Sequence, residues 1–451
     1  MAMAAKGTLR LTLSIFVAGL STCFTCGVAR AGLKGACAKV DITPPLGITL
    51  IGSQDKPSDA VMDELYAKAM VLSDGTNTIA IVSADLLYTP QEEIAGPVCA
   101  AINEQLGIPV QNVMVCATHT HSGPEVFTRS KLPQEGRLDA GQIDGAYLQV
   151  LVRKMADAAS IACHNMQDVR IGAAMGRLPE VLYNRRPTND KGRAVTTFTL
   201  PPEVAATRKI EMTREGDTRA TFTFPPSQAP LEFGPMDPAV FALRVEDTGG
   251  RIIGSMIGFG CHPVCIYPHL RTTVSADYPA FATRVVEQAE GGTCLFVLGL
   301  AGNAVPLQRG PGPCARMGKA LGGEALKRLQ LAPTTGDATL HAATREITLP
   351  TRPTSSSGDS ISTEIQVLRL GDIYLVGLPG EVLVEVGLAI KKKAGIENLF
   401  IVTLANDAVG YVCPRQAYEQ GGYEPESGTH LAKGAGEIMI ERALALINEM
   451  K

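Results

Sequence analysis

Tryptophan is absent from the 451-residue chain, and aromatic residues of all kinds make up only 5% of it. That poverty argues against a platform for single-stranded nucleic acid, which binds by stacking bases on aromatic rings. Basic runs are missing too: beyond Lys391-Lys392-Lys393 there is none, and the net charge is −4. DNA and RNA are therefore excluded as partners on electrostatic grounds. No uninterrupted apolar run reaches the roughly 20 residues of a membrane-spanning helix. The 45% hydrophobic and 19% charged composition also excludes a disordered tail, a collagen-like rod or a coiled coil. Several catalytic signatures are lacking: no Gly-x-Ser-x-Gly elbow, no His-Glu-x-x-His, no phosphate loop and no Gly-x-Gly-x-x-Gly fingerprint.

The first 31 residues read as a secretory signal peptide. Lys6 and Arg10 form a positive opening, Leu11 to Leu20 is mostly apolar, and Ala29-Arg30-Ala31 supplies small residues before a cleavage point. The expected mature chain starts at Gly32, in a secreted or periplasmic protein. Removing this segment leaves 38 cations against 45 acids, a charge of −7, and nine of the 11 cysteines. An odd number leaves at least one thiol free or paired outside the chain. So few cysteines over so long a chain do not make a disulfide scaffold.

Residues 32–451 read as a single large domain of α/β class, with layered mixed sheets flanked by helices. Strand-like runs over Thr78–Leu87, Asn112–Ala117, Arg251–Gly260, Thr293–Leu300, Ile373–Leu378 and Asn398–Leu404 lack polar alternation, as strands buried on both faces do. Helical patterns cover Glu92–Leu106, Gly145–Cys163, Tyr278–Ala289 and Glu381–Lys393. Pro187–Gly234 and Thr351–Ser360 read as insertions.

Chemistry-bearing residues gather at the ends of these strands, where open α/β sheets place their ligand sites. His119 and His121 follow an apolar strand in Ala117-Thr118-His119-Thr120-His121-Ser122-Gly123-Pro124. If that strand continues, both imidazoles face one side, and paired imidazoles suit a transition metal; a polar strand end is the plainer reading. His262 closes another apolar run, in Gly260-Cys261-His262-Pro263. Glu381 follows Leu378-Pro379-Gly380, where an acid that complements a helix dipole is an alternative role. Tyr411 closes Ala405-Asn406-Asp407-Ala408-Val409-Gly410-Tyr411 and would pass for a structural tyrosine if it stood alone. Cys261, His262 and Cys265 also suggest part of a structural zinc site, but no second Cys pair accompanies them. A disulfide from Cys261 or Cys265 is equally open.

The ordered series of these motifs resembles the neutral/alkaline (non-lysosomal) ceramidase family. Besides the histidine motif at 117–124, the resemblance rests on Lys39-Val40-Asp41-Ile42-Thr43-Pro44, Asp237-Pro238, Gly260-Cys261-His262-Pro263, Ser275-Ala276-Asp277-Tyr278-Pro279, Ala301-Gly302-Asn303, Leu378-Pro379-Gly380-Glu381 and Gly410-Tyr411. It implies a ceramidase-like catalytic domain and a zinc amidohydrolase that splits an N-acyl bond, as the family does in ceramide. By matched motif, His119, His262, Glu381 and Tyr411 would hold Zn²⁺. His121 would stand beside the water or substrate, and Arg185 and Tyr423 would be further active-site residues. Bound zinc lowers the pKa of water to about 7 and polarises the scissile carbonyl.

Three departures bear on that expectation. Val305 stands where the family has a serine, in Ala301-Gly302-Asn303-Ala304-Val305-Pro306, and has no hydroxyl to offer. Glu125-Val126 replaces a common Gly-Gly and narrows the space beside the metal. The chain also ends soon after the Tyr411 segment, without the immunoglobulin-like domain of full ceramidases. The expected activity is hydrolysis of a ceramide-like or other N-acylated, lipid-like small molecule; an esterase or another C–N hydrolase on the same site is the close variant. A non-catalytic binding protein on a degenerate hydrolase fold is the reading from another class, but such a protein has no chemical need for all four ligands. A lipid-binding module would want an exposed amphipathic or aromatic-rich segment, and none is evident.

Overall fold

The computed structural model describes Met1 and residues 32–54, 56–126, 144–353 and 358–451, so the signal-peptide reading of residues 1–31 lies outside it apart from Met1. Gly32–Lys451 forms one compact unit. Eight strands build the larger sheet: β1 (Lys34–Asp41), β2 (Tyr66–Ser73), β3 (Thr78–Ala84), β4 (Val113–Ala117), β5 (Gln167–Arg177), β6 (Ala239–Asp247), β7 (Ile252–Phe259) and β8 (Thr293–Leu298). Their order across the sheet is β8-β7-β6-β5-β1-β2-β3-β4. A second sheet contains β9 (Leu340–Pro350), β10 (Ser360–Leu370), β11 (Ile373–Leu378) and β12 (Leu399–Thr403), in chain order. Most neighbours run antiparallel, but β3/β4, β7/β8 and β11/β12 are parallel pairs.

The two sheets pack face to face, and strand alternation decides what lies between them. Met70 and Leu72, Ile79 and Ile81, and Met114 and Cys116 fill the space between the sheets, together with Leu368, Leu375 and Val402. The intervening Ala69 and Val71, Ala80 and Val82, and Val113 and Val115 belong to the core beneath the helices. Phe241 of β6 and Phe400 of β12 stack across the inter-sheet layer at 5.1 Å. Burial on both faces explains why these strands read as unbroken apolar runs. Helices α1 (Gly96–Leu106), α2 (Gly145–His164), α3 (Asp277–Glu290) and α4 (Pro311–Leu331) cover the larger sheet, while α5 (Val384–Ala394) and α6 (Ala435–Glu449) pack together, with α6 against β9 and β10. The layers run helix, sheet, sheet, helix, as the expected α/β class with layered mixed sheets requires.

The expected helix from Glu381 is shorter than its pattern. It starts at Val384, and Glu381-Val382 is extended, paired in parallel with Tyr411-Val412. Gly380, with φ of 107°, makes the turn that allows this. The Pro187–Gly234 insertion contains a hairpin of Lys209–Met212 on Thr218–Thr221. Residues 354–357 of the other insertion lie outside the described residues. No helix among the described residues is long and apolar enough to cross a membrane.

Candidate metal centre

Each parallel pair delivers functional side chains from its carboxyl end to one point. β4 ends at Ala117, and the expected continuation toward His121 does not occur. His119 instead takes a left-handed conformation, φ 71°, its N–H bound to Leu86 O. A non-glycine residue in this region costs of order 1–3 kcal/mol and marks functional sites. The turn, rather than strand alternation, brings His119 and His121 together, with ring centroids 4.8 Å apart. His262 follows β7 and is anchored through its N–H to Ala304 O. Its ring centroid also lies 4.8 Å from that of His119.

The hydrogen bonds of the two imidazoles fix what they offer. His119 Nδ1 lies 2.9 Å from Leu87 O and His262 Nδ1 lies 2.6 Å from Ala301 O. A carbonyl only accepts, so each Nδ1 carries the proton and each Nε2 presents a lone pair. Both lone pairs meet Glu381: Oε2 is 3.0 Å from His262 Nε2 and 3.3 Å from His119 Nε2. His119 Nε2 is buried without a hydrogen bond, as is His121 Nε2. Three acceptors converging in a buried space call for a cation. Protonating the imidazoles is the alternative, and burial, then the Arg185 charge, pushes His262 down to about 4. Burial opposes ionisation of Glu381, and only positive charge at His119 and His262, on protonated rings or on a cation bound between them, holds its carboxyl well below its usual value. The donor set fits a transition metal.

Tyr411 completes the group, its hydroxyl 3.4 Å from His262 Nε2. It stands opposite Glu381 in the parallel ladder, so two of the expected ligands are cross-strand neighbours. Burial, then the Glu381 charge, pushes its phenol well above the usual value, keeping it a neutral hydroxyl. Gly302 makes the close approach feasible, because a Cβ there would meet Val382 and Glu381 backbone atoms at 2.7–2.8 Å. The nitrogens of His119, His121 and His262 lie within 4.8 Å of one another, so His121 joins the same cluster. Burial, then the neighbouring His119 and His262, keeps His121 neutral.

Arg185 is buried beside this group. Its Nη2 donates to Tyr411 Oη and to Gly302 O, both at 3.0 Å, and its Nε donates to Glu424 Oε1 at 2.8 Å. The guanidinium carbon lies 5.3–5.7 Å from the rings of Phe198, Tyr411 and Tyr423. Tyr423 packs edge-on to both Tyr411 and Phe198. The structure thus gathers all seven residues singled out from the sequence.

It adds others. Tyr88 donates to Glu381 Oε1 at 2.5 Å. Glu424 is fully buried between Arg185 and Arg186. Tyr267 lies 5.7 Å from the His121 ring, and Phe198, 43% exposed, forms an outer wall. Tyr88 was not singled out from the sequence; it lies four residues past β3, at a carboxyl end as the others do, and that position is the signal that could have marked it. Phe198 sits in the insertion, and no local pattern marks it. Val305 is fully buried, paired with Tyr183 in a short ladder next to the residue that anchors His262. Glu125 and Val126 are buried as well.

No family model matches the sequence. The fold does have solved counterparts. Neutral ceramidase from Pseudomonas aeruginosa superposes with a TM-score of 0.70 at 19% identity, over 93% of this chain and 75% of that one. A ceramidase complexed with C2 gives 0.70 at 18% identity, over 93% and 76%. The chain shares the fold of these proteins.

Proposed function

We propose that this chain is a zinc-dependent hydrolase of the neutral ceramidase family that cleaves the amide bond of an N-acylated, lipid-like substrate. The convergence of His119 Nε2, His262 Nε2 and Glu381 Oε2 in a buried pocket carries this reading, and the shared fold supports it. His119, His262, Glu381 and Tyr411 would hold the ion. When bound, Zn²⁺ supplies a Lewis acid that polarises the scissile carbonyl and acidifies water.

The chain's own residues do the rest. His121, neutral and with Nε2 lacking a protein partner, takes a proton from the attacking water and returns it to the leaving amine nitrogen. Arg185 holds the Tyr411 hydroxyl through Nη2 and places positive charge where the tetrahedral oxyanion develops. Phe198 and Tyr423 form an aromatic wall for the apolar part of the substrate.

The test has two parts: metal analysis of purified protein, then an N-acyl panel screened for release of free amine. Zinc with amine release from at least one member is expected; no zinc at the histidines, or no release across the panel, refutes the reading. We also infer export with removal of residues 1–31. N-terminal sequencing of exported protein should begin at Gly32, and a chain that keeps Met1 counts against it.

A further inference from the structure

The second group of metal-ligating side chains lies away from the histidines, under the loop that follows His262. Cys265, Asp277 and Cys314 offer two thiols and a carboxylate whose ligand atoms lie within 4.8 Å of one another. All three residues are fully buried. We propose that they form a structural site for a thiolate-binding divalent cation, Zn²⁺ by the chemistry of the set, independent of the catalytic centre.

Spacing supports this first. Tetrahedral zinc, with Zn–S of about 2.3 Å and Zn–O of about 2.0–2.2 Å, sets a sulfur and a carboxylate oxygen about 3.5 Å apart and two sulfurs about 3.8 Å apart, and a few tenths of an ångström of contraction would bring this group to those spacings. Cys314 Sγ is 3.8 Å from Asp277 Oδ1. Met317, one turn along α4, brings a thioether to 4.0 Å from Cys265 Sγ, in place for a fourth, soft donor.

Orientation supports it next. Both Asp277 oxygens are held by backbone amides: Ile266 N–H binds Oδ2 and Tyr278 N–H binds Oδ1, each at 2.8 Å. Such second-layer bonds aim a carboxylate ligand and leave it further lone pairs. Asp277 also takes a left-handed conformation, φ 58°, a local cost that surrounding structure must outweigh. It forms no ion pair among the described residues; two backbone N–H groups and the Cys314 thiol donate to it, but no full positive charge offsets a carboxylate in this dry interior. A divalent cation would, with the two thiol protons leaving as it enters.

The backbone has the three ligands pinned already. Gly310 N–H donates to Cys265 O at 2.7 Å, and Cys314 N–H donates to Gly310 O at 2.9 Å. A cation here would tie the His262 loop to the N-termini of α3 and α4, fixing the floor beneath His262 and Tyr267. Cys261, adjacent in sequence, stays outside the group. His262 turns toward the other centre, so the Cys261-His262-Cys265 zinc reading gives way to a Cys265-Asp277-Cys314 set. All nine described cysteines are free thiols.

The full chain, purified under reductant, is loaded with Co²⁺. A thiolate-to-cobalt charge-transfer band is expected, because the histidine centre contains no sulfur and cannot produce one. C314S and C265S should each abolish the band and lose one of two metal equivalents. His119→Ala should keep the band while losing the other equivalent, so failure of the catalytic reading remains distinguishable. Should a cysteine variant fail to fold, the wild-type band and metal count still decide. The proposal is overturned if wild type shows no thiolate band, if the band survives both C265S and C314S, or if unreduced protein yields linked peptides containing Cys265 and Cys314.

Discussion

The phenolic O–H of Tyr88 donates to Glu381 Oε1 over 2.5 Å, joining residues 293 positions apart. Glu381 thus has one oxygen held by Tyr88 and the other turned to His119 and His262. Tyr88→Phe removes only the hydroxyl, and loss of a bond to a charged acceptor costs about 1.5–3 kcal/mol. Outer partners of metal ligands typically contribute 10–100-fold in metal affinity or activity. Chelator competition and kcat/KM should both fall by roughly that factor, with circular dichroism unchanged. Unaltered values for both would show the contact to be incidental.

Removing a ligand outright should be more severe. His119→Ala and Glu381→Ala should each lose the metal of the histidine centre and all measurable amide hydrolysis while keeping the fold. Elemental analysis beside a thermal melt checks this. Full metal content and activity in either variant would remove that residue from the ligand set.

Glu424 was not apparent from the sequence, yet it is fully buried between two guanidinium groups. Burial opposes its ionisation, and the Arg185 and Arg186 charges reverse that and hold its carboxyl low. Glu424→Gln leaves two buried cations around a neutral amide, and breaking such a set typically costs about 3–5 kcal/mol. Denaturant unfolding should register a loss of that order, and kcat should fall with it as Arg185 loses its anchor. A variant as stable as wild type would contradict the arrangement.

How much was legible depended on whether a residue's role is local. The doubly buried strands were readable because Val113–Ala117 or Ile373–Leu378 has no polar face to interrupt it. Edge and antiparallel strands such as Leu340–Pro350, with many exposed positions, carry no such run. His119, His262, Glu381 and Tyr411 were readable because each follows a buried apolar strand, where a polar side chain needs a reason. The left-handed turn at His119 was not, since no local residue preference announces it. Nor was the Glu381–Tyr411 ladder, because pairing across 30 positions is a tertiary fact. Phe198 and Glu424 draw their meaning wholly from neighbours far along the chain.

Asp85 gives a pH signature away from the metal. Burial raises its carboxyl to about 6, against which the Lys68 charge and the Tyr66 N–H work only partly. The folded state therefore binds this proton more tightly than the unfolded chain, whose aspartates titrate near 3.9. The cost of ionising it is absent below about pH 4, grows between about 4 and 6, and is complete above. Asp85→Asn cannot ionise, so its stability relative to wild type should rise by about 1–3 kcal/mol from pH 4 to pH 7. Unfolding curves at the two pH values measure it, and a pH-independent difference would place the carboxyl's pKa elsewhere.

Val305 decides between a changed substrate and a dead enzyme. It is fully buried in the apolar core and directly follows Ala304, whose carbonyl anchors His262. If the ion supplies the attacking oxygen's activation, the missing hydroxyl removes at most one hydrogen-bonding group. Loss of one such donor costs about 10²–10³ in rate, well short of a whole enzymatic acceleration of 10⁶ or more. An apolar wall also leaves a substrate hydroxyl nearby without a partner, a penalty of about 1–3 kcal/mol. Ceramide, with its polar head, should therefore be a poor substrate for wild type, while a less hydroxylated N-acyl compound turns over. Val305→Ser should shift the preference toward ceramide by one to two orders of magnitude. Assays of both proteins on ceramide and an N-acyl panel, with and without chelator, separate the cases. Equal ceramide cleavage by wild type and variant would end the switch argument. A wild type inert on everything, beside a Val305→Ser variant that cleaves ceramide strongly, would mean that the hydroxyl was indispensable and that the natural chain only binds.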